Sequence, residues 1–196
     1  MTADVSRHRA MNDEPVSTGE VVLETDRLLL RRWRVSDAAL QRELWAERDP
    51  RVPPHRRIDA DGHPTLKELE DRIRREAASA SDTSLGLLAA ERRGSGDVIG
   101  YCGLIPNVHG QDGEPELAYE FLREVWRQGY ATEAAQEVLG WATESGYRRL
   151  WATIREWNAP SRRVMDKLGF VETARVEPDD VHGDSLFYMK DLPSLP

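Results

Sequence analysis

The feature that most constrains this chain is an abrupt change of hydrophobic period past its midpoint. Over Glu116–Leu122 the residues alternate, with Leu117, Tyr119 and Phe121 on one face and Glu116, Ala118 and Glu120 on the other. That period of two belongs to a strand. From Ala131 to Ser145 the apolar residues Ala134, Ala135, Val138, Leu139 and Ala142 recur at helical spacing instead, and Gly146 supplies the stop. The link between them is short and contains Gly129. A strand delivered directly into a helix commits the chain to an architecture that mixes the two.

The flanking segments extend the pattern. Val21–Trp33 reads as strand with a turn near Thr25-Asp26, followed by a helix that Ser36 or Asp37 can cap and that ends near Arg48 before Pro50, Pro53 and Pro54. A second helix is expected from Thr65 to Ser79 on the stripe Leu66, Leu69, Ile73. Strands are expected over Leu85–Arg92, Val98–Ile105, Leu150–Arg155, Val171–Arg175 and Leu186–Met189. A helix over Ala159–Leu168 begins with Asn158 as cap and Pro160 in its first turn, and Gly169 closes it. Antiparallel strands followed by βαβ-like crossovers predict an α/β protein with a mixed sheet. Residues 1–20 are polar and aperiodic and read as a flexible tail before one domain over 21–192.

Composition excludes several function classes. No apolar run is long enough for a membrane span, and the first residues lack the apolar stretch of a secretory signal, so a cytoplasmic protein without a membrane partner is expected. A net charge of -8 disfavours nucleic acid as a partner. Cys102 is the single cysteine, expected as a small buried hydrophobe, and His55, His63, His109 and His182 lack ligand spacing, so no metal is expected. The absence of G-x-G-x-x-G and G-K-[ST] loops removes the usual dinucleotide and nucleoside triphosphate readings.

At the strand–helix link, small residues at Gly129 and Ala131 let a ligand approach the backbone. The unpaired N–H groups of the helix start would favour an anion there. Read from the residues alone, the link is either a phosphate cradle or a plain connection whose glycine serves the turn.

Trp126-Arg127-Gln128-Gly129-Tyr130-Ala131 resembles the cofactor loop Q/R-x-x-G-x-G/A of the GNAT N-acetyltransferase superfamily. Trp126 departs from the first position. With Gly129-Tyr130-Ala131-Thr132-Glu133-Ala134 it looks like the branch that acetylates the N-termini of ribosomal proteins, the Rim type. Leu23-Glu24-Thr25-Asp26-Arg27-Leu28 with Leu30-Arg31, Val98-Ile99-Gly100-Tyr101-Cys102-Gly103-Leu104, and Asn158-Ala159-Pro160-Ser161 with Lys167-Leu168-Gly169-Phe170 fit the same branch in order and spacing.

The resemblance implies a mostly antiparallel central sheet flanked by helices, binding acetyl-CoA as cosubstrate in a V-shaped opening between strands 116–122 and 150–155. It implies that the backbone of Arg127, Gln128, Gly129, Tyr130, Ala131 and Thr132 holds the pyrophosphate. The backbone near Phe121 and Leu122 would pair with the pantetheine arm, and Asn158 would contact the cofactor. Arg162 and Arg163 would either meet cofactor phosphates or stand on a solvated helix face. A homodimer is expected by analogy alone.

The implied reaction is attack of a primary amine on a thioester, which needs a proton acceptor for the amine and a proton donor for the departing thiolate. Many members place a tyrosine seven residues after the asparagine as donor; Met165 stands there and cannot donate a proton. Ser161, one turn after Asn158, is the candidate donor, against a capping or solvated hydroxyl. Glu116, matching the glutamate of the branch's E-I-G-Y strand, is the candidate base, with Glu120 as a weaker rival. The expected acceptor is a protein or peptide N-terminus; the alternatives are a polyamine or aminoglycoside-like amine, or a non-catalytic acyl-CoA-binding module.

Overall fold

The computed structural model describes residues 19–79, 85–107 and 113–193. Most of the expected tail, and His109, lie outside them. In chain order the elements are β1 (Val21–Glu24), β2 (Leu28–Arg31), α1 (Ala38–Glu47), α2 (Leu66–Ser79), β3 (Leu87–Arg92), β4 (Val98–Ile105), β5 (Glu116–Phe121), α3 (Tyr130–Glu144), β6 (Arg149–Arg155), α4 (Ala159–Leu168), β7 (Val171–Glu177) and β8 (Ser185–Asp191). The strands form one sheet in the order β1-β2-β3-β4-β5-β6-β8-β7. Every neighbouring pair is antiparallel except β5 and β6, which run parallel. This is the mixed, mostly antiparallel α/β sheet that the sequence predicts.

The first expected strand is two strands. Thr25 breaks it: its N–H donates to the Leu28 carbonyl and its Oγ1 accepts from the Leu28 N–H, each at 2.9 Å. A hydroxyl that bonds its own turn competes with the ladder, so the chain reverses there. Asp37 does not cap α1, because its carboxylate is drawn to Arg31.

Among the described residues that ion pair is the most deeply buried. Arg31 is 1% exposed; Nη1 and Nη2 donate to Asp37 at 2.7 and 3.0 Å, and Nε donates to Glu91 at 2.6 Å. Burial alone would lower the Arg31 pKa, but the hydrogen bonds it donates to the two carboxylates, with their charge, outweigh it and hold the guanidinium charged. The cluster ties β2 and β3 to the start of α1.

The main core lies on the sheet face that carries Leu88, Cys102, Leu104, Leu117 and Phe121, where Ala134, Ala135 and Val138 of α3 and Met165 and Leu168 of α4 cover it. Each such leucine or methionine contributes about 1.5–3 kcal/mol by leaving water. Cys102 is fully buried among them, as expected, and burial pushes its thiol pKa well above the ordinary range. A smaller cluster of Ala38, Leu69 and Ile73, with Trp33 against it, joins α1 and α2. The glycines of Val98-Ile99-Gly100-Tyr101-Cys102-Gly103 are steric requirements: a Cβ would overlap the Glu120 carbonyl at Gly100 and the Gly86 carbonyl at Gly103.

Replacing Arg31 by Ala strips buried Asp37 of its counter-charge, leaves Glu91 only the longer contact with Arg34, and is expected to destabilise the protein by about 3–5 kcal/mol, read as a lower urea midpoint. A loss below about 1 kcal/mol would show that water reaches the pair.

Candidate active site

The site begins where β5 and β6 part. They share one register pair, Glu116 with Trp151, and the Trp151 N–H donates to the Pro115 carbonyl at 3.0 Å. Continuation of a parallel ladder would send the Thr153 N–H to a β5 carbonyl. It donates instead to the Glu116 carboxylate, Oε1, at 2.9 Å. A side chain thus takes the place of the next rung, and no ladder joins the two strands beyond it.

On the other side β5 pairs regularly with β4 along its whole length, and the Leu122 N–H donates to the Ile99 carbonyl at 3.0 Å. Antiparallel alternation then turns the peptide groups of the odd-numbered residues Tyr119 and Phe121 toward the opening, without a ladder partner. Such an edge inside a sheet is a template for an extended chain bearing amides. Leu122, expected beside Phe121 in that role, faces the other way: its N–H is in the β4 ladder and its carbonyl accepts from Val125. Tyr119 takes its place, a consequence of strand phase that could have been read from the alternation.

At the wide end of the opening, Arg123–Val125 form one tight turn and the chain enters α3. Arg127 has φ 64° and Gly129 φ 88°. Two left-handed residues within three positions coil the backbone into a concave turn in which successive N–H groups converge. Arg127 adopts this conformation without the freedom of glycine, a strained position of the kind found at functional sites. The first turn of α3 follows at once, so the orphan amides of Tyr130, Ala131 and Thr132 extend the same donor surface. Gln128 belongs to the loop through its backbone, while its side chain donates to the Glu124 carbonyl. Trp126, the departure in the sequence pattern, donates from Nε1 to the Phe121 carbonyl at 2.7 Å and latches the loop to the end of β5.

Side chains divide between the two faces of β5. Glu120 accepts from Arg48 Nε at 2.8 Å and Nη2 at 2.5 Å, and the Tyr101 hydroxyl donates to it at 3.0 Å. Its oxygens are committed, which removes the rival base. Glu116 has one oxygen on Thr153, and its second has no hydrogen-bond partner among the described residues. On the opposite face, the Tyr119 hydroxyl reaches α4 and donates to the Ser161 carbonyl at 3.3 Å. Burial pushes the Tyr119 pKa up, with the Ser161 hydroxyl pulling weakly the other way, so the phenol stays protonated. Asn158 caps α4, Oδ1 accepting from the Ser161 N–H at 3.2 Å. Met165 is fully buried in the core. The structure therefore brings Asn158, Ser161 and Tyr119 together at the start of α4, while Glu116 stands at the vertex.

Other candidates are occupied elsewhere. Arg162 donates to the Tyr188 hydroxyl of β8 and to Glu172 of β7 and is held against those strands; Arg163 is exposed. His63 is paired with Glu68, and His182 sits against Asp179, which its backbone N–H also reaches. Among the described residues no group of three or more His, Cys, Asp or Glu side chains is arranged to hold a metal ion, and no helix is long and apolar enough to cross a membrane.

With this geometry in view, the sequence profile of the acetyltransferase (GNAT) domain matches residues 27–171. The chain belongs to the GNAT acetyltransferase family. The uncharacterized N-acetyltransferase p20 of Bacillus licheniformis is 26% identical over 149 residues, 76% of this chain and 81% of that one. Among solved structures, a GNAT-family acetyltransferase of Bacillus anthracis aligns with a TM-score of 0.68 at 21% identity, over 86% of this chain and 97% of its own. A Vibrio cholerae protein provisionally described as a ribosomal-protein-serine acetyltransferase aligns with a TM-score of 0.69 at 16% identity, over 89% and 99%. The yncA protein of Salmonella typhimurium, solved with its cofactor acetyl-CoA, gives 0.64 at 20% identity, over 85% and 94%. The chain is accordingly an acyltransferase of this family.

Gly129→Glu places bulk and negative charge at a left-handed position of the loop and is expected to abolish acetyl-CoA binding, measured by calorimetry. Binding at wild-type affinity would remove the loop from the phosphate site.

Proposed function

We propose that this protein transfers acetyl from acetyl-CoA to a primary amine, by direct attack in a ternary complex, and that the acceptor is a protein or peptide N-terminus. The observation that carries the reading is the single-rung contact of β5 with β6, opening toward a left-handed loop at the start of α3. The edge at Tyr119 and Phe121, which has no ladder partner, suits the two amides of a pantetheine arm, and the backbone of Arg127–Thr132 suits its pyrophosphate. Asn158, spent on capping through Oδ1, retains its amide N–H groups for the cosubstrate.

Acetyl-CoA supplies an activated thioester carbonyl. The amine nitrogen forms a bond to that carbon, the carbon–sulfur bond breaks, and its electron pair leaves on sulfur. Glu116 takes the proton lost by the amine, through the oxygen that Thr153 leaves free. The Ser161 hydroxyl gives the departing sulfur a proton and regains one from solvent, while the Asn158 cap and the Tyr119 hydroxyl hold the Ser161 backbone N–H and carbonyl in place. An α-amine, with a pKa near 8, already offers some neutral nucleophile at pH 7, so the demand on Glu116 is modest.

Charge on the acceptor side favours this class of amine over a polyamine. Glu120 is neutralised by Arg48, and Asp49 by Arg51, whose guanidinium lies 4.3 Å from the Trp157 ring. Paired carboxylates make a poor polycation site. A cofactor-binding module without turnover is the second reading, and Met165 at the usual donor position is the observation that favours it.

Acetyl-CoA-dependent thiol release with pooled short peptides bearing free α-amines is expected to exceed release with polyamines and aminoglycosides. The reverse would move the acceptor to small molecules, and binding without release from either pool would favour the module. Ser161→Ala is expected to lower kcat by about 10²-fold with acetyl-CoA affinity retained. Tyr119→Phe added to it should cost little more, since the Tyr119 hydroxyl acts through Ser161. Glu116→Gln should flatten the acidic limb of the kcat/KM profile; an unchanged profile would exclude it as the base.

A further inference from the structure

We propose that Arg27, in the β1–β2 turn, is a positioning residue for the cofactor loop: clamped on Glu133, it holds the Gln128–Gly129 peptide in its phosphate-binding orientation and cancels a carboxylate that would otherwise repel the diphosphate. The inference rests on the acetyl-CoA reading of that loop.

The clamp joins two sequence stretches far apart in the chain, Leu23–Leu28 and Gly129–Ala134. Glu133, in the first turn of α3, receives four donors from the turn. The Thr25 hydroxyl and the Arg27 N–H reach Oε1 at 2.5 and 3.0 Å; Arg27 Nε and Nη2 reach Oε2 at 2.6 and 2.5 Å. Burial would raise the Glu133 pKa, but these donors outweigh it and lower it, so the carboxylate stays ionised at neutral pH. The third guanidinium nitrogen, Nη1, donates to the Gln128 carbonyl at 3.0 Å, and the guanidinium lies 4.3 Å from the centre of the Tyr130 ring. Arg27 therefore grips the loop at residue 128 and the helix at residues 130 and 133.

Two consequences follow from elementary chemistry. A trans peptide points its N–H opposite to its carbonyl, so a carbonyl anchored on Arg27 fixes the Gly129 N–H away from Arg27. Gly129 has φ 88°, a conformation that glycine readily leaves when nothing holds it. Glu133 also lies one turn from the orphan amides of α3. Left unpaired, its charge would act against any anion those amides hold. The clamp does both jobs without needing to touch the ligand.

Arg93 provides an internal control. Its Nη1 donates to Glu24 and to the Thr25 carbonyl, at 3.0 and 2.9 Å, so it braces the same turn without reaching the loop. The experiment is acetyl-CoA titration by calorimetry on the full chain, with steady-state kinetics alongside. Arg27→Ala is expected to weaken binding at least tenfold and to raise the acetyl-CoA KM while kcat changes less. Arg93→Ala should leave affinity within about twofold while lowering thermal stability. Arg27→Ala/Glu133→Gln should bind acetyl-CoA more tightly than Arg27→Ala alone, because the uncompensated charge is gone. Arg27→Lys should fall between wild type and Ala, since an ammonium keeps the charge but not the fork.

Wild-type affinity in Arg27→Ala would overturn the proposal, and so would an equal loss in Arg93→Ala, which would reduce the effect to stability of the turn. Failure of the wild-type protein to bind acetyl-CoA would instead overturn the loop reading itself. An Arg27→Ala chain that does not fold leaves Arg27→Lys to decide: unchanged affinity there, with folding intact, would refute the need for the fork.

Discussion

One hydrogen bond governs the geometry of the site. The Thr153 N–H is given to the Glu116 carboxylate and not to a β5 carbonyl, and from that point the two parallel strands have no reason to remain together. An interrupted ladder leaves peptide groups that must find other partners, because backbone donors and acceptors are costly to bury unpaired. The opening is thus a deliberate deficit in the sheet, of a shape that an extended amide chain fills. The loop at the start of α3 and the Ser161 hydroxyl of α4 lie on the side toward which β5 and β6 diverge. The same carboxylate sets the vertex through one oxygen, and it is the other oxygen that the proposed mechanism assigns to the amine proton.

Much of the fold was legible because it rests on local periodicity. The alternation of Glu116–Leu122 and the helical stripe after Ala131 each reflect burial on one face, and both elements lie where those patterns put them. The turn at Thr25 was visible as polar residues inside an apolar run. What could not be read was where a side chain spends its hydrogen bonds. Asp37 has the chemistry of a helix cap, yet its carboxylate turns back to the Arg34 N–H and the buried Arg31 guanidinium and makes no cap on α1. Glu120 and Glu116 are equivalent by alternation, and only the fold reveals that Arg48 disarms one of them. The phase of β5 against β4 was accessible in principle, and it decides that Tyr119, not Leu122, presents its backbone to the opening.

The excess of arginine over lysine has no meaning in composition alone, yet three of these arginines sit at the joints of the molecule. Arg31 binds two strands to α1, Arg48 binds the end of α1 to β5, and Arg27 binds the first hairpin to α3. Each uses two or more edges of the planar guanidinium on carboxylates or carbonyls, a geometry that an ammonium group cannot reproduce. Elements remote in sequence are fixed in orientation as well as in distance, which a site built from several elements requires.

Cys102 lies on the strand next to the cleft wall, fully covered, with its thiol held in the neutral form. Thiolates exchange readily with thioesters, and a reactive cysteine beside the proposed acetyl-CoA cleft would take the acetyl group for itself. Because the sulfur is sealed in the core and protonated, this thiol is removed as a competitor for an acyl thioester in the cleft.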